Sequence, residues 1–351
     1  GAMNVSQRQT SVTGIGASSG YFTLDRFQIT AENTNGRLTM TQTAVTDLPG
    51  FSNCLKLDCT TADTSIAAGE DLILSTSLEG QDLQHFKKGT ADARGWAVSF
   101  YVKGDTNSTY ACELLDGDNN RHIVSLFNVH NNWSRVKINF PADTTGTLDD
   151  DTAASITFNL WLHAGSTYNG GTLQTTWASK SNNNRAVGAD SFFASTDRNF
   201  FITGVQMEAG DSCTDFEYEP FEKTLLKCQR YYEHCYDVLG THFPADDVAF
   251  GNGMTLYNGN CWANDNIRAQ AHFLVRKRAV PTTTAYSVSG LGNGTTANRW
   301  DWYNGGWEET NQTTNMAETT ATGIHVSIGD TDASNTDALM VAGGWDADAE
   351  L

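Results

Sequence analysis

Between residues 20 and 219 the chain is a succession of short alternating or β-branched runs, broken by clusters of Gly, Asn and Asp. Alternation with a period of two buries one face of a strand at a time, so the pattern commits this region to β-sheet. The runs cover residues 21–29, 38–41, 54–57, 96–102, 110–115, 123–129, 133–140, 155–162 and 200–208. Their number and spacing predict an all-β fold, an antiparallel jelly-roll sandwich. Asp116-Gly117-Asp118-Asn119-Asn120 reads as a hairpin connection, because Gly and Asn tolerate the positive φ of tight turns. Residues 164–197 are too long for a plain turn and are expected to be functional or folded on themselves.

The pattern then changes. Phe221, Leu225, Cys228, Tyr232 and Cys235 are spaced 4, 3, 4 and 3, which puts them on one helical stripe and predicts a linking helix over 220–235. The stripe suits packing on a sheet or a seam between subunits. Alternating runs return at 272–276, 281–288, 323–328 and 339–345, marking a second, smaller β-sandwich-like domain over 236–351. Residues 1–19 are expected to be a tag-removal scar, Gly1-Ala2-Met3, and a flexible segment, leaving 20–219 as the jelly roll. There is no internal repeat of propeller or solenoid type.

Composition narrows the function. The 22 Lys and Arg against 41 Asp and Glu give a net charge of −19, which disfavours nucleic acid and anionic lipid as partners. No stretch approaches the roughly 18 apolar residues of a membrane span, so no membrane insertion is expected. The seven cysteines are an odd, scattered set without a CxxC, against both a disulfide framework and a structural zinc site. They read as small buried hydrophobes, with Cys54 and Cys59 on opposite faces of one strand.

Several stretches resemble a module of bacteriophage tail-fibre and other virion-associated proteins, especially marine ones. The carriers are Tyr21-Phe22-Thr23-Leu24-Asp25-Arg26-Phe27, Leu78-Glu79-Gly80-Gln81-Asp82-Leu83-Gln84-His85-Phe86, Val98-Ser99-Phe100-Tyr101-Val102-Lys103 and Phe158-Asn159-Leu160-Trp161-Leu162-His163-Ala164-Gly165-Ser166. They continue with Leu173-Gln174-Thr175-Thr176-Trp177, Asn184-Arg185-Ala186-Val187-Gly188, and Phe201-Ile202-Thr203-Gly204-Val205-Gln206-Met207-Glu208-Ala209-Gly210 through Cys228-Gln229-Arg230-Tyr231-Tyr232. The resemblance spans nearly the whole chain. It implies a carbohydrate-binding-module-like jelly roll with a C-terminal β tip, on a virion appendage that touches the host surface, without catalysis. A homotrimer follows from how such fibre tips are built.

Motifs for bond-breaking chemistry are weak. Gly16-Ala17-Ser18-Ser19-Gly20 matches GxSxG, but it leads into a strand rather than from strand to helix, so it reads as linker. The eight histidines are dispersed, without HExxH. A glycosidase needs two carboxylates about 5–9 Å apart, and no local constellation supplies them. Oxygen-rich loops read as solvated acidic turns, with a structural Ca²⁺ site as the alternative: Asp116, Asp118 and Asn119 form one candidate, Asp149 and Asp151 with Asp150 another. The resemblance adds that jelly-roll glycan modules often carry such an ion. Asp330-Thr331-Asp332-Ala333-Ser334-Asn335 begins like an EF-hand loop but lacks the required Gly and Glu, and reads as a turn.

Sugar recognition pairs an aromatic face, for the C–H patch of a pyranose, with amides or carboxylates for its hydroxyls. Two regions offer both. Trp300, Trp302, Tyr303 and Trp307 lie among polar residues of the C-terminal domain, where core or interface packing would account equally well for Trp300 and Trp302. Tyr168, Trp177 and Asn183 lie in the long loop of the first domain, Trp177 also suiting a packing role. Arg276-Lys277-Arg278 reads as an edge-protecting cluster, with an anionic-glycan contact as the alternative. The expected function is non-enzymatic attachment of a virion to host cell-surface glycan, alongside other virion proteins. The alternatives are a purely structural virion protein and a polysaccharide depolymerase.

Overall fold

The structure, a computed structural model, describes residues 1–235, 248–249, 255–263, 266–286, 288–289, 299–303, 307–309, 314, 318–329 and 338–351. The chain divides into two compact units, Gly1–Phe221 with Leu351, and Glu222–Glu350. The first unit has strands β1 (Ser11–Ile15), β2 (Gly20–Tyr21), β3 (Gln28–Glu32), β4 (Arg37–Ala44), β5 (Asn53–Thr61), β6 (Asp71–Glu79), β7 (Trp96–Lys103), β8 (Ser108–Asp116), β9 (Arg121–Val129), β10 (Ser134–Phe140), β11 (Ala154–Ala164), β12 (Ala178–Ser179) and β13 (Asn199–Ala209). One helical turn, α1 (Ser166–Asn169), follows β11.

These strands form two sheets, in the orders β1-β4-β5-β13-β7-β10 and β12-β9-β8-β11-β6-β3-β2, with antiparallel pairing throughout. The chain crosses from one sheet to the other repeatedly, as a jelly roll requires. Alternation aims Val98, Phe100 and Val102 of β7 and Phe200 and Ile202 of β13 at Tyr110, Leu114, Phe158 and Leu160 of the other sheet, in one continuous core. Edge-to-face pairs stitch the layers: Phe100 meets Phe127 at 5.2 Å and Phe158 at 5.8 Å, and Tyr110 meets Phe200 at 5.8 Å. In β13 the inward positions run Phe200, Ile202, then Val205 and Met207, because a bulge between Thr203 and Gln206 shifts the parity. Gly204 supplies its positive φ of 62°, and a Cβ there would meet Phe51 at 2.8 Å and Tyr101 at 2.9 Å.

Three expectations change. The segment 1–19 is ordered into the fold: it contains β1, and Met3 and Val5 are buried. Residues 21–29 are broken into β2 and β3 around a turn, and β6, unforeseen, lies between β11 and β3 because its outward Asp71, Ser75 and Ser77 interrupt the apolar signal. The hairpin at 116–121 is formed as expected, with Asn120 at positive φ.

In the second unit, helix α2 (Phe221–Gln229) is shorter than the stripe suggested, and Tyr232 belongs to β14 (Tyr232–His234). The other strands are β15 (Val248–Ala249), β16 (Thr255–Ala263), β17 (Asn266–His272), β18 (Thr282–Tyr286), β19 (Val288–Ser289), β20 (Asp301–Tyr303), β21 (Trp307–Glu309), β22 (Gly323–Gly329) and β23 (Ala338–Asp348). The long β23 pairs with β16 and β20 over its first half, and with β18 and β14 over its second. Lys277 of the basic cluster is buried, its ammonium bonded to the Glu233 carboxylate and the Gln229 carbonyl, so that residue is an internal brace rather than an edge charge. Among the described residues no helix is long and apolar enough to cross a membrane. Cys54, Cys59 and Cys112 are buried free thiols, Cys228 is buried, Cys213 and Cys235 are half-buried, and the Cys261 side chain lies outside the described residues.

Candidate functional site

The outer face of the seven-stranded sheet is where the long loop goes. Register sets Glu113 of β8 beside Asn159 of β11, and Ala111 beside Trp161, all pointing away from the core. The loop after β11 folds across them. Arg185 lies with its guanidinium 4.5 Å from the Trp161 ring centroid, and the Tyr168 ring packs at 5.0 Å from the same indole. Trp161 is thereby fully buried.

Glu113 is the anchor, at 0% exposure. Its two oxygens accept five hydrogen bonds: from His122 Nδ1 (2.9 Å), Asn159 Nδ2 (3.0 Å), Trp161 Nε1 (2.9 Å), Arg185 Nε (2.9 Å) and Arg185 Nη2 (2.8 Å). The Ser181 N–H donates to His122 Nε2, which leaves Nδ1 as the donor to Glu113. Burial alone would push this carboxyl up. The His122 bond, the Arg185 charge and the bonds from Arg185 and Trp161 outweigh it and hold Glu113 at about 2. A second chain fastens the returning end of the loop: Ser191 Oγ lies 2.8 Å from His163 Nδ1, and His163 Nε2 lies 3.1 Å from Glu70 Oε2. Burial lowers the His163 pKa, with Glu70 only partly offsetting it.

Beside this sealed half the face stays open. Gln28 of β3 is in register with Ser75 of β6, which faces Asn159; Ser77 faces Thr157. Thr30, on β3 beside Ile73, completes a strip of hydroxyl and amide side chains across three strands. Gln28, Thr30, Ser77 and Thr157 are half-buried, and the Ser77 and Thr157 hydroxyls lie 3.0 Å apart. Tyr168, half-buried, packs against the cluster that includes Ile73, at the Thr30 end of the strip. Burial, with the Glu32 charge, pushes Asp71 up to about 6. Short hydroxyls and amides donate and accept at once, so such a strip matches the hydroxyl edge of a sugar, and a ring at its border suits the C–H face.

The residues singled out from sequence are dispersed. Tyr168 and the exposed Asn183 belong to this loop, Asn183 accepting from Ser181 Oγ at 2.7 Å and, through its carbonyl, from Gly171 N at 2.8 Å. Trp177 is architectural. Its Nε1 donates to the Pro141 carbonyl at 2.8 Å, it packs on the core, and the Lys88 ammonium lies 5.4 Å from its ring. Trp300 (0% exposed) and Trp302 (4%) are core residues of the second unit, Trp300 Nε1 donating to Gly344 O at 3.0 Å. Buried faces cannot stack on a ligand, so both leave the binding set. Tyr303 is half-buried in β20; the Trp307 side chain and residues 330–335 lie outside the described residues.

The calcium alternative at Asp116 meets a different cation. Lys88 Nζ, itself buried, lies 2.5 Å from Asp116 Oδ2, 3.1 Å from Asp143 Oδ2, and 2.9 Å from each of the Thr145 and Gly146 carbonyls. An ammonium fills the oxygen cage that was the candidate for a divalent ion. Asn119 Nδ2 donates to the remaining lone pairs of Asp116 and to the Thr147 carbonyl. Asp118 accepts from Asp149 N at 2.9 Å, and Asp151 from Ala153 N at 2.9 Å, so these acids tie turns together. Among the described residues no group of three His, Cys, Asp or Glu side chains gathers as a metal-ligand set.

No protein-family model matches the chain, and no curated protein matches it. Solved structures are similar over about half of it. A family 4 carbohydrate-binding module covers 52% of this chain and 86% of its own, at a TM-score of 0.28 and 9% identity. The family 11 module of a cellulosomal cellulase from Clostridium thermocellum covers 53% and 93%, at 0.29 and 12%. The enzymatically active domain of tailspike protein 4 from bacteriophage CBA120 matches over 52% of this chain but only 19% of its own, at 0.28 and 13%.

Proposed function

We propose that the chain is a non-catalytic glycan-binding protein of a virion appendage, which holds host-surface saccharide on the open strip of the seven-stranded sheet. The observation that carries this reading is the strip itself: Gln28, Thr30, Ser77 and Thr157 lie half-open on neighbouring strands, with the Tyr168 ring at the Thr30 end and a floor that Glu113 braces through Asn159. Preorganised hydrogen-bonding groups lose little entropy on binding, which favours weak-contact ligands such as sugars. The virion setting and the homotrimer are supported by the tail-fibre resemblance, most fully by residues 201–210. A glycan array on the whole chain tests the reading. Saturable binding that Tyr168→Ala or Gln28→Ala removes supports it; an array without hits points to a purely structural virion protein. Sedimentation at equilibrium tests the trimer.

A second reading, an ester-cleaving hydrolase, is favoured by one observation, the Ser191–His163–Glu70 chain with the geometry of a nucleophile, base and orienting acid. Against it, His163 is fully buried. Labelling of Ser191 by a fluorophosphonate would establish this reading, and absence of label would remove it.

A further inference from the structure

The outer face of the six-stranded sheet carries a row that no sequence motif marks. Register sets Lys56 of β5 beside Phe201 of β13, and Phe201 beside Lys103 of β7. Trp133, immediately before β10, continues the row, its ring 6.3 Å from that of Phe201. The order across the strands is cation, ring, cation, ring. Lys103 Nζ lies 5.0 Å from the Phe201 centroid and 5.4 Å from that of Trp133; Lys56 Nζ lies 5.7 Å from Phe201. Both rings are half-buried. Each lysine also meets a carboxylate at the rim, Lys103 with Asp47 at 2.7 Å and Lys56 with Asp58 at 3.3 Å, and Asp47 accepts from Trp133 Nε1 at 2.8 Å.

The core does not require these groups. The inward faces of the same strands are filled by Leu55, Val102, Phe200 and Ile202, so the outward rings serve the surface. Lys56 and Lys103 stand on alternate strands, about 9.5 Å apart along the sheet, close to the length of an extended disaccharide, with Phe201 between them and Trp133 beyond Lys103. A ring takes the C–H face of a pyranose, and an ammonium takes a carboxylate. The chain carries −19 overall, so it repels a densely charged polyanion at long range, and the attraction available here is local. We propose that this row is a second saccharide site, on the opposite sheet from the first, for an acidic polysaccharide that bears a carboxylate on every second sugar. Asp47 and Asp58 hold the lysines in place when the site is empty, and the ligand's carboxylates take over that role.

The test is calorimetric titration of the whole chain with hexasaccharides of hyaluronan and of unsulfated chondroitin, in both of which a uronate alternates with an uncharged sugar. Chitin hexasaccharide is the uncharged control. At least one acidic ligand should bind and chitin hexasaccharide should not. Lys103→Gln should weaken binding about tenfold, one charge-assisted hydrogen bond, and Trp133→Ala comparably. Asp47→Asn should tighten it, a gain that misfolding cannot mimic. Tyr168→Ala should leave it unchanged, which separates this site from the one on the seven-stranded sheet. Failure of both acidic ligands to bind, equal binding of chitin hexasaccharide, or weaker binding by Asp47→Asn would each overturn the proposal.

Discussion

The two outer faces of the sandwich use the same kinds of residue to opposite ends. On the seven-stranded sheet an indole, a guanidinium and a carboxylate (Trp161, Arg185, Glu113) lie under a loop, with every oxygen of the acid accepting hydrogen bonds. On the six-stranded sheet an indole, an ammonium and a carboxylate (Trp133, Lys103, Asp47) make a similar trio, but the side chains of Lys103 and Asp47 are 21% and 53% exposed. Burial makes the first a brace, because breaking it strands charges away from water. Exposure makes the second exchangeable, because water and salt already share in it. What a charged and aromatic cluster does on a sheet is thus decided by what lies over it.

The sharpest break of this contrast is Glu113→Gln. It leaves Arg185 without its counter-charge and the His122 and Trp161 donors facing a weaker acceptor, and is expected to cost about 3–5 kcal/mol, as breaking a buried pair does. Chemical denaturation should register the loss, and limited proteolysis should find new cleavage in residues 165–197. Lys88→Ala removes another buried cation and leaves Asp116 without its counter-charge, while Asp143 keeps Arg121, with a similar loss of about 3 kcal/mol. Because the emptied cage holds two carboxylates and two carbonyls, millimolar Ca²⁺ should restore part of the melting temperature to this variant and leave the wild type unchanged.

Acid acts on the same brace. The Glu113 carboxyl is held at about 2, below its ordinary value, so its contribution is fully present above about pH 4.5 and is lost as the pH falls toward 2. Asp71, pushed up to about 6, acts with the opposite sign: stability tied to its protonated form is present below about pH 4 and lost as the pH rises through 6. Melting curves across this range should therefore fall steeply on the acid side, with a shallower decline between about pH 4 and 6 on the way up. The Glu113→Gln variant should show the acid slope much reduced.

Much of the fold could be read in advance, since alternation is a local signal: the strands around Phe100, Phe127, Phe158 and Phe200 alternate apolar residues over several positions. β6 and β1 were missed for the same reason. Outward Ser75 and Ser77 and the short, polar β1 look like linker until a neighbouring strand pairs with them. The site was less legible. Tyr168 and Asn183 stand out in the sequence because a long loop rich in aromatic and amide residues is itself a signal, and the structure places both on that loop. Glu113, Arg185 and His163 each looked ordinary, as their partners come from distant strands. Trp300 and Trp302 misled, because a cluster of tryptophans signals either a platform or a core, and only Gly343, whose missing side chain makes room for the Trp300 ring, tells which. Lys88 carried no signal, yet it occupies the candidate calcium site.

Backbone geometry gives a smaller effect. Gly204→Ala forces a side chain into a left-handed conformation and against Phe51 and Tyr101, and should cost about 1–3 kcal/mol. The bulge sets the parity of β13, so the variant should also disturb the position of Phe201 and with it the exposed row. Urea unfolding should show the first effect and acidic-hexasaccharide titration the second.

The smallest effect on stability belongs to the exposed trio. Lys103→Gln removes an ion pair with Asp47 and ring contacts with Trp133 and Phe201, but all of these face solvent, so the loss should stay within about 1 kcal/mol. The Asp47 carboxyl is held below its ordinary value chiefly by hydrogen bonds from Lys103 and Trp133, so part of that depression should also relax, visible by NMR titration. If Lys103→Gln instead destabilised the chain as much as Glu113→Gln does, the two faces would be doing the same work, and the exchangeable character assigned to the six-stranded sheet would be lost. A near-neutral effect on unfolding combined with a clear loss of acidic-saccharide affinity is the result that keeps the two faces distinct.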